Sequence, residues 1–522
     1  MTVDILRKPD DIKVVCEGEN NDAEVRTVIE GRKLLVYLKA NTSLPKYICA
    51  RWNYRADKPV KIMGDKWERS YGDMEWHSLN GEIFMPWYFL MSDGKETVGC
   101  GVMVQPNSFV SFQCDASGIT AWFDVRCGGV GVRLNGRELL AGTVVCESYS
   151  GMSEFQAARE FCKVMSSEPI LPKESVYGSN NWYYAYGKFT KADLTEDAKL
   201  ISELTKECEN RPYMVIDEGW EIGRTGGPWT PKDEFADMAA ITKEFKELGV
   251  KPGIWFRPLH DEELEEKHPD WRMHAGAEGR ALKYLDPSHP EVKKFLTDLI
   301  SKIKGWGFEL IKHDFSTYDM FGYFGDYLNG KISPSDELYF YDRTKTSAEI
   351  VLDFYRLIRK AAGDMVIIGC NTVSHLCAGL VEINRIGDDT SGREWSRTRA
   401  YGVNTLAFRL CQNKAFYMVD ADCVGILDDN IPWKLNKQWL DLLANSGSPL
   451  FVSMKPASLN DEMKRDIAAA MRENAMQNSS AEPLDWTYNN QPQEWLINNE
   501  HKSYDFIMDS YPSLLKAKIQ PY

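Results

Sequence analysis

Residues 308 to 319 read FELIKHDFSTYD, a stretch that begins as a buried strand and ends in charged side chains. Two apolar residues are followed directly by Lys312, His313 and Asp314. Side chains alternate across a strand with a period of two, so Lys312 and Asp314 share one face and His313 lies on the other. The pattern predicts an ammonium group beside a carboxylate at the C-terminal end of a strand.

Short apolar runs of this kind recur from residue 175 onward and alternate with amphipathic helical stretches. Eight strands with intervening helices over roughly 280 residues are typical of a (β/α)₈ barrel. A doubly wound sheet is the alternative, and it is disfavoured because no glycine-rich phosphate loop follows any run. The eight runs are VYGSNNW (176–182), YMVIDEGW (213–220), KPGIWFRP (251–258), FELIKHD (308–314), MVIIGCN (365–371), EINRIGDD (382–389), FYMVDAD (416–422) and SPLFVSM (448–454).

The chain of 522 residues is too long for one hydrophobic core, so several domains are expected. Residues 1–172 alternate apolar and polar positions in short strands, and Asn135-Gly136 is a two-residue hairpin signal. We therefore predict a multidomain α/β protein. It has an N-terminal antiparallel β-sandwich (1–172), a catalytic (β/α)₈ TIM barrel (173–455) and a short C-terminal β appendage (456–522).

Composition excludes several function classes. The formal net charge of −15 argues against nucleic acid or an anionic membrane as a partner. The N-terminus lacks an uninterrupted apolar core and no run of eighteen apolar residues occurs, so we expect a cytoplasmic protein. The twelve cysteines include no C-x-x-C pair, which predicts reduced thiols and no zinc ribbon.

Carboxylates accumulate at the C-terminal ends of four predicted barrel strands. In a barrel these ends open onto one face, where active sites are built. One acidic residue after a strand commonly caps the next helix, but four strands ending in this way favour a site. The carboxylates are Asp217 and Glu218, Asp314, Asp388 and Asp389, and Asp420 and Asp422.

Such a ring of carboxylates could hold a metal ion or carry out acid/base and nucleophilic chemistry. A metal site is the weaker hypothesis, because His313 is the only histidine in the ring. Magnesium could be held by carboxylates alone, but such sites normally also serve a phosphate substrate, and the sequence shows no phosphate-binding loop. Two carboxylates flanking a glycosidic bond fit better. Lys312 should lower the pKa of the nucleophile, whereas burial or like charge should raise the pKa of the acid.

Five segments resemble the clan D glycoside hydrolases of families 27 and 36, typified by α-galactosidases. FELIKHD resembles their nucleophile strand, and INRIGDDTSG resembles their acid/base strand, in which an Arg precedes the catalytic Asp by four residues. VIDEGW is similar to their Asp-Asp-x-Trp sugar-binding segment, and HPDW with YLDPSHPEV to a stretch characteristic of family 36. DADC and LANSGSPLFVSM resemble their last two strands, so the likeness spans about residues 175–455.

The resemblance implies that Asp314 is the nucleophile, that Asp389 is the acid/base residue and that no metal or organic cofactor takes part. Alternation supports the second assignment independently, because Arg385 and Asp389 share a strand face while Asp388 lies on the other. Asp388 is then expected off the axis between the carboxylates, capping a helix or holding a loop. The other residues that the resemblance assigns to the sugar site are Trp182, Asp217, Glu218, Trp255, Lys312, Cys370, Asn371, Arg385 and Asp422.

Two departures from the family bear on the sugar. Glu218 stands where the galactosidases usually carry a second Asp, near carbon 6 of the sugar. The segment CNTVSHLCAG replaces a glycine-rich Cys-Ser-Gly-Gly segment near carbon 2, where Cys370 and Asn371 lie. Galactose and N-acetylgalactosamine therefore both stay open.

The predicted function is that of an exo-acting retaining α-glycosidase, most simply an α-galactosidase, whose partner is a small-molecule or oligosaccharide α-galactoside. The alternatives are an α-N-acetylgalactosaminidase, a raffinose-synthase-type galactosyl transferase and a catalytically silent sugar-binding protein. A homo-oligomer is possible. Trp67 and Trp76 stand among charged residues in GDKWERSYGDMEW, and we expect this segment of the N-terminal domain to overhang the barrel mouth.

Overall fold

The computed structural model confirms the multidomain α/β arrangement: antiparallel sheets come first, a parallel barrel follows and a small antiparallel sheet comes last. No helix in the part of the chain that it describes is long and apolar enough to cross a membrane. The described residues are 3–18, 22–166, 168–323, 336–427, 431–476 and 479–506.

The N-terminal region is a sandwich of two antiparallel sheets. One sheet has the strand order β1-β4-β11-β10-β7 and the other the order β2-β3-β12-β9-β8-β5-β6. The strands are β1 Asp11–Glu17, β2 Glu24–Glu30, β3 Lys33–Lys39, β4 Leu44–Asn53, β5 Lys61–Gly64, β6 His77–Ser78, β7 Asn80–Pro86, β8 Tyr88–Ser92, β9 Glu96–Val102, β10 Phe109–Asp115, β11 Gly118–Asp124 and β12 Glu138–Ser150.

The hairpin expected at Asn135-Gly136 is only partly present. Both residues have positive φ (51° and 83°), and Arg137 N–H donates to Leu134 C=O at 2.9 Å, so the turn exists. Only its second arm is a strand, because β12 begins at Glu138 whereas the residues before the turn form no ladder. Gly136 N–H donates instead to Ala40 C=O at 2.8 Å. The prediction of two paired arms was therefore wrong at this position.

The central region contains the eight predicted parallel strands, in the sheet order β22-β21-β20-β18-β15-β14-β13-β24-β23. A separate three-stranded sheet, β17-β16-β19, was not predicted; β16 and β17 follow β15 in the chain, and β19 follows β18. The strands are β13 Tyr177–Asn180, β14 Tyr213–Ile216, β15 Lys251–Phe256, β16 Arg272–Ala275, β17 Arg280–Leu285, β18 Leu310–His313, β19 Leu338–Tyr339, β20 Val366–Gly369, β21 Ile383–Arg385, β22 Met418–Asp420, β23 Cys423–Ile426 and β24 Leu450–Met454.

The ring closes through one interrupted strand. β22 pairs with β21 at one end of the parallel sheet, and β23 pairs with β24 at the other end. Only Ala421 and Asp422 separate β22 from β23 in the chain, so the two are halves of a single strand and the sheet is a closed barrel. Asp422 has a φ of 74°, which is uncommon for a residue with a side chain. Irregular backbone of this kind clusters at functional sites.

Helices surround the barrel, and their apolar faces follow the spacing of a helix packed on a sheet. In α8, Ile350, Phe354 and Ile358 recur every four residues and are buried. Thr346 and Glu349 cap its N-terminus reciprocally. The helices are α1 Glu154–Met165, α2 Trp182–Ala185, α3 Lys191–Leu204, α4 Met238–Glu247, α5 Glu262–Lys267, α6 Pro290–Gly305, α7 Ser316–Phe321, α8 Ser347–Ala362, α9 Ser374–Cys377, α10 Trp395–Arg397, α11 Thr405–Arg409, α12 Trp433–Asn445 and α13 Asp461–Ala475.

The small C-terminal sheet consists of β25 Ala481–Pro483, β26 Glu494–Ile497 and β27 Glu500–Ser503. Trp486 lies between β25 and β26, and its ring centroid is 5.4 Å from those of Trp76 and Phe155 in the N-terminal region and of Phe408 in the barrel. The C-terminal sheet therefore packs where the other two regions meet. Helix α13 packs against α12, α3 and β13 of the barrel.

Candidate active site

Asp314 follows β18 directly, and both of its carboxylate oxygens are held. Trp255, on the adjacent strand β15, donates its indole N–H to Oδ2 at 3.1 Å, and the backbone N–H of Phe315 donates to Oδ1 at 2.8 Å. Burial would raise the pKa of Asp314, but the charges of Lys312 and Arg69 and these two hydrogen bonds outweigh it and hold the pKa below its usual value. The carboxyl group is thus kept ionised and oriented.

The backbone after Asp314 is strained and braced by a buried ion pair. Phe315 has a φ of 61°, and the guanidinium carbon of Arg257 lies 4.3 Å from its ring centroid. Arg257 Nε donates to Asp319 Oδ2 at 3.0 Å, and both side chains are buried. Burial raises the pKa of Asp319 to about 6, although Arg257 acts in the opposite direction. This pair ties the end of β15 to α7 and encloses the residue next to Asp314.

Lys312 pairs with Asp217 and not, as the sequence suggested, directly with Asp314. Lys312 Nζ lies 2.9 Å from Asp217 Oδ2, which also accepts from Asn180 Nδ2 at 2.7 Å. The charge of Lys312 acts on Asp314 at longer range. The predicted effect on Asp314 is confirmed, because the charge of Lys312 lowers the pKa of that carboxyl group. The contact with Asp217, which follows β14 two strands away in the sheet, was not predicted. His313 lies on the opposite face, as alternation predicts, with its ring 6.2 Å from that of Tyr355 in α8.

Glu218 is buried beside Asp217 and forms an ion pair with an exposed arginine. Its Oε1 lies 3.2 Å from Arg224 Nη2, and its backbone N–H donates to Asp217 Oδ1 at 2.9 Å. Burial raises the pKa of Glu218 and the charges of Asp217 and Asp314 add to the rise, whereas Arg224 opposes it. Glu218 therefore lies in the same cluster of charges as Asp217 and Asp314.

Arg385 joins two of the predicted carboxylates. Its Nη2 lies 3.1 Å from Asp389 Oδ1 and 2.9 Å from Asp422 Oδ2. Asp422 Oδ2 also accepts from the Thr390 N–H at 2.6 Å and from the hydroxyl of Tyr183. The left-handed backbone at Asp422 turns this carboxylate toward all three groups. The break in the barrel strand thus positions the arginine that holds Asp389.

Arg69, from the N-terminal domain, was missed by the sequence reasoning. Its Nη1 lies 3.7 Å from Asp389 Oδ1 and its Nη2 lies 3.5 Å from Asp388 Oδ1. Asp388 Oδ2 is also 3.4 Å from Arg397 Nη2, so Asp388 connects two arginines away from Arg385. A parallel bridge between Ser70 and residue 387 fixes the segment in place. Nothing in the local pattern marks Arg69, because its role depends on how two domains pack.

A buried polar network fastens that segment to the barrel. Arg409 Nε lies 2.9 Å from Asp65 Oδ1, and its Nη1 donates to the carbonyls of Glu68 (2.6 Å) and Ile386 (3.2 Å). The indole N–H of Trp87 donates to Asp65 Oδ2 at 2.8 Å. The network therefore holds Arg69 and the strand that leads to Asp389 in register with each other.

The pKa of Asp389 is not raised, which corrects a sequence-based expectation. Burial alone would raise it, but the charges of Arg385, Arg69, Lys312 and Arg397 hold it below its usual value. Burial or like charge was expected to raise this pKa, whereas in the folded chain the surrounding cations outweigh burial. Asp389 keeps 40% of its side-chain surface exposed, against 4% for Asp217, so it lies at the outer edge of the cluster.

The remaining predicted residues lie around the same end of the barrel. Cys370 is buried with its Sγ 4.0 Å from Arg385 Nη1. Asn371 Oδ1 accepts from the Phe315 N–H at 3.3 Å, while its buried Nδ2 meets no acceptor among the described residues. Trp182 begins α2 and is partly buried, with its backbone N–H donating to Asn180 Oδ1 at 2.8 Å.

The two tryptophans expected to overhang the barrel mouth do not do so. Trp67 is 1% exposed and packs on Phe109 and His375, and Trp76 is 9% exposed and packs on Trp486. Both rings belong to the core, and the nearby charged residues Asp65, Glu68 and Arg69 are buried with them. The segment itself does reach the carboxylates, but through Arg69.

No group of three or more His, Cys, Asp and Glu side chains in the described ranges is arranged to hold a metal ion. The carboxylates are instead paired with Arg and Lys side chains. This donor set suits acid/base and nucleophilic chemistry on a neutral substrate.

Two curated α-galactosidases match part of the chain in sequence. No family model matches the chain. The α-galactosidase AgaA of Geobacillus stearothermophilus is 29% identical over 138 residues, which is 24% of this chain and 18% of that protein. The α-galactosidase C of Emericella nidulans is 27% identical over 149 residues, 24% of this chain and 19% of that protein. The matched region thus spans less than a fifth of either curated relative.

Comparison with solved structures extends over nearly the whole chain. The α-galactosidase TtGalA of Thermus thermophilus, in complex with p-nitrophenyl α-D-galactopyranoside, has a TM-score of 0.61 at 17% identity, covering 92% of this chain and 99% of that one. A family 36 α-galactosidase AgaA variant of G. stearothermophilus, in complex with raffinose, has a TM-score of 0.62 at 13% identity, covering 91% and 71%. The chain therefore has the fold of the glycoside hydrolase family 36 α-galactosidases.

Proposed function

We propose that the protein is a member of glycoside hydrolase family 36 and an exo-acting retaining α-galactosidase. The observation that carries the proposal is the placement of Asp314 and Asp389 after two strands of one barrel, on the same open end. Trp255 and Arg385 orient the two groups separately. Two carboxyl groups that flank a glycosidic bond are the machinery of most glycosidases, and an ionised carboxylate that acts as the nucleophile makes the reaction retaining.

In the first step, Asp314 attacks the anomeric carbon as an ionised carboxylate, and Asp389 gives its proton to the departing glycosidic oxygen. The lowered pKa of Asp314 fits a nucleophile. The new bond joins the anomeric carbon to a carboxylate oxygen of Asp314, and the leaving group departs as an alcohol. Asp389 is left ionised beside Arg385 and Arg69.

In the second step, ionised Asp389 takes a proton from water, and the oxygen of that water attacks the anomeric carbon and releases Asp314. The low pKa of Asp389 suits its role as a base here. The same cations disfavour the protonated form of Asp389 that the first step needs. Arg385 and Arg69 therefore favour the second step over the first.

Asp217 and Lys312 form the polar floor that binds the sugar hydroxyls. Their mutual pairing leaves each with further hydrogen-bonding capacity, because a carboxylate accepts at several positions and an ammonium group donates three times. Asn371 Nδ2 is a buried donor without an acceptor in the described chain, so a sugar hydroxyl would satisfy it. Trp255 and Trp182 supply apolar faces.

The test is the stereochemistry of turnover on p-nitrophenyl α-galactoside, followed by proton NMR. Retention predicts that α-galactose appears first and then mutarotates, and that Asp314→Ala abolishes turnover. First release of β-galactose would contradict a nucleophilic Asp314. Absence of turnover, together with binding of galactose, would indicate a silent sugar-binding protein.

A further inference from the structure

A fully buried carboxyl group that the proposed mechanism does not use lies in the loop after β14. Glu221 is inaccessible to solvent, and its Oε2 accepts from the backbone N–H of Gly219 at 3.1 Å. Its Oε1 meets no hydrogen-bond donor in the described part of the chain. An antiparallel bridge between Glu221 and Pro231 holds the loop closed at this point. The carboxyl group is therefore fixed against the residue that follows Glu218.

The other side of Gly219 is held by a cation. Lys232 Nζ donates to the Gly219 carbonyl, and the Lys232 backbone N–H donates to Trp220 C=O at 2.9 Å. The two peptide groups that flank the Gly219 Cα are thus held by a carboxyl group and an ammonium group. Gly219 has a φ of 119°, and a Cβ at this position would lie 2.6 Å from the Cα of Gly187. Glycine is free to adopt many conformations, so the two side chains stabilise this one.

Gly219 connects directly to the proposed sugar site. Glu218 precedes it, and the backbone N–H of Glu218 donates to Asp217 Oδ1 at 2.9 Å. Asp217 Oδ2 lies 2.9 Å from Lys312 Nζ, its partner in the proposed binding of the sugar hydroxyls. A shift of the Gly219 backbone would therefore move the carboxylates that meet the sugar.

The charge of Glu221 changes close to neutral pH. Burial raises its pKa to about 7 and the charge of Glu218 adds to the rise, whereas the hydrogen bond from Gly219 and the charge of Lys232 oppose it. Above this pH the carboxylate is ionised and its bond to the Gly219 N–H is charge-assisted. Below it, a proton on the unpaired Oε1 leaves a weaker, neutral acceptor. The contact that holds Gly219 is therefore strongest above neutral pH.

We propose that Glu221 is a positioning residue for the sugar site and that it makes galactose binding depend on pH. Ionised Glu221 and Lys232 hold Gly219 from opposite sides. The residues just before it, Asp217 and Glu218, then keep the positions in which they meet the sugar hydroxyls. The inference rests on the proposed function, because the loop acts only through that site. Galactose affinity is thus highest when Glu221 is ionised and falls as the pH drops below neutrality.

The experiment measures the dissociation constant of galactose by calorimetry on either side of the Glu221 transition. Glu221→Gln keeps the side-chain shape and a neutral acceptor for the Gly219 N–H, but it cannot ionise. The variant should bind about fivefold more weakly than the unmodified protein at about pH 8 and equally well at about pH 6. Comparison of the two proteins at each pH cancels the titration of Glu218, which both retain. On p-nitrophenyl α-galactoside the loss should appear in KM and leave kcat within about twofold.

Two further variants separate the roles of charge and fold. Lys232→Met removes the cation that lowers the pKa of Glu221, so the pH at which affinity is lost should move upward by about one unit. Asp286→Asn is the matched control, because burial also raises the pKa of Asp286, to about 6. This carboxyl group accepts from the backbone N–H groups of Ser288 and Tyr341, and it follows β17, outside the proposed sugar site. Its loss should lower the thermal midpoint without changing the pH dependence of galactose binding.

Each outcome decides the proposal. If the dissociation constants of Glu221→Gln and the unmodified protein keep a constant ratio across this pH range, the carboxyl group serves the fold alone. The positioning role would then be overturned while the proposed function stays intact. If Glu221→Gln does not fold, an unmoved transition in Lys232→Met would overturn the role in the same way. Absence of both galactose binding and turnover in the unmodified protein would overturn the proposed function as well.

Discussion

The hydrogen bond from Trp255 to Asp314 can be removed with little other change, by Trp255→Phe. The indole N–H lies 3.1 Å from Asp314 Oδ2, and the ring of phenylalanine keeps an aromatic face in place. A hydrogen bond to a charged group contributes about 1.5–3 kcal/mol. Since about 1.36 kcal/mol corresponds to one pKa unit, its loss should raise the pKa of Asp314 by about one to two units.

The assay is the pH dependence of kcat/KM on p-nitrophenyl α-galactoside. Asp314 must be ionised to attack, so activity is lost as the pH falls through its pKa. A raised pKa moves this acid limb toward higher pH by about one to two units. The nitrophenolate leaving group departs without being protonated, so the pKa of Asp389 has little influence on this pH profile.

Trp220→Phe is the matched control for this prediction. Its indole N–H donates at 2.9 Å to the backbone carbonyl of Trp255, so the substitution removes an equivalent bond that does not reach a carboxylate. It should lower the thermal midpoint without moving the acid limb. An unmoved limb in Trp255→Phe, or an equal movement in both variants, would refute the reasoning.

Four further predictions follow from the charged cluster. Asp389→Ala should lose cleavage of oligosaccharides far more than cleavage of nitrophenyl galactoside, and added azide should rescue its turnover. Asp388→Asn should show no such selectivity. The reverse pattern in product analysis would exchange the two assignments. The cations around Asp389 keep its pKa low, and only the disaccharide needs a proton from it. As the pH rises, hydrolysis of the disaccharide should therefore be lost at a lower pH than hydrolysis of the nitrophenyl substrate, and coincident alkaline limbs would count against this. Glu218→Asp withdraws the carboxylate by one methylene and leaves more room around carbon 6 of the sugar, which galactose has and arabinopyranose lacks. The ratio of activity on aryl α-galactoside to activity on aryl α-arabinopyranoside should therefore rise. A constant ratio would place Glu218 away from carbon 6. Lys312→Met leaves buried Asp217 without its cation, so the free energy of unfolding should fall by about 3–5 kcal/mol. Galactose binding measured by calorimetry should weaken as well, because the variant lacks the ammonium donor, and an unchanged affinity would exclude Lys312 from the sugar site.

The barrel was predictable because its evidence is local and repeated. Eight apolar runs with polar ends, spaced by helical stretches, specify both the strands and the face on which their ends meet. Strand alternation also placed Arg385 on the side of Asp389, where the two side chains pair at 3.1 Å. The inserted sheet β17-β16-β19 escaped notice because its strands are short and carry no clear alternation.

The rest of the site depends on contacts between distant parts of the chain. Arg69 is separated from Asp389 by more than three hundred positions, and no period in the sequence connects them. The contact of Lys312 with Asp217 escaped notice for a related reason, since four methylenes let its charge reach a carboxylate that follows another strand. The pKa of Asp389 was misjudged because the sequence pointed to Arg385 alone among its cationic neighbours, whereas Arg69 and the other cations come together only on folding.

The insertion of Arg69 between two domains has a consequence for protein engineering. The barrel is not a portable module, because a graft of its strands and loops onto another N-terminal domain would leave Asp388 and Asp389 without this arginine. Asp65 and Arg409 would likewise lose each other as partners in the core. Recombination between relatives should therefore place its crossovers outside the unit formed by residues 65–70 and the strand that leads to Asp389.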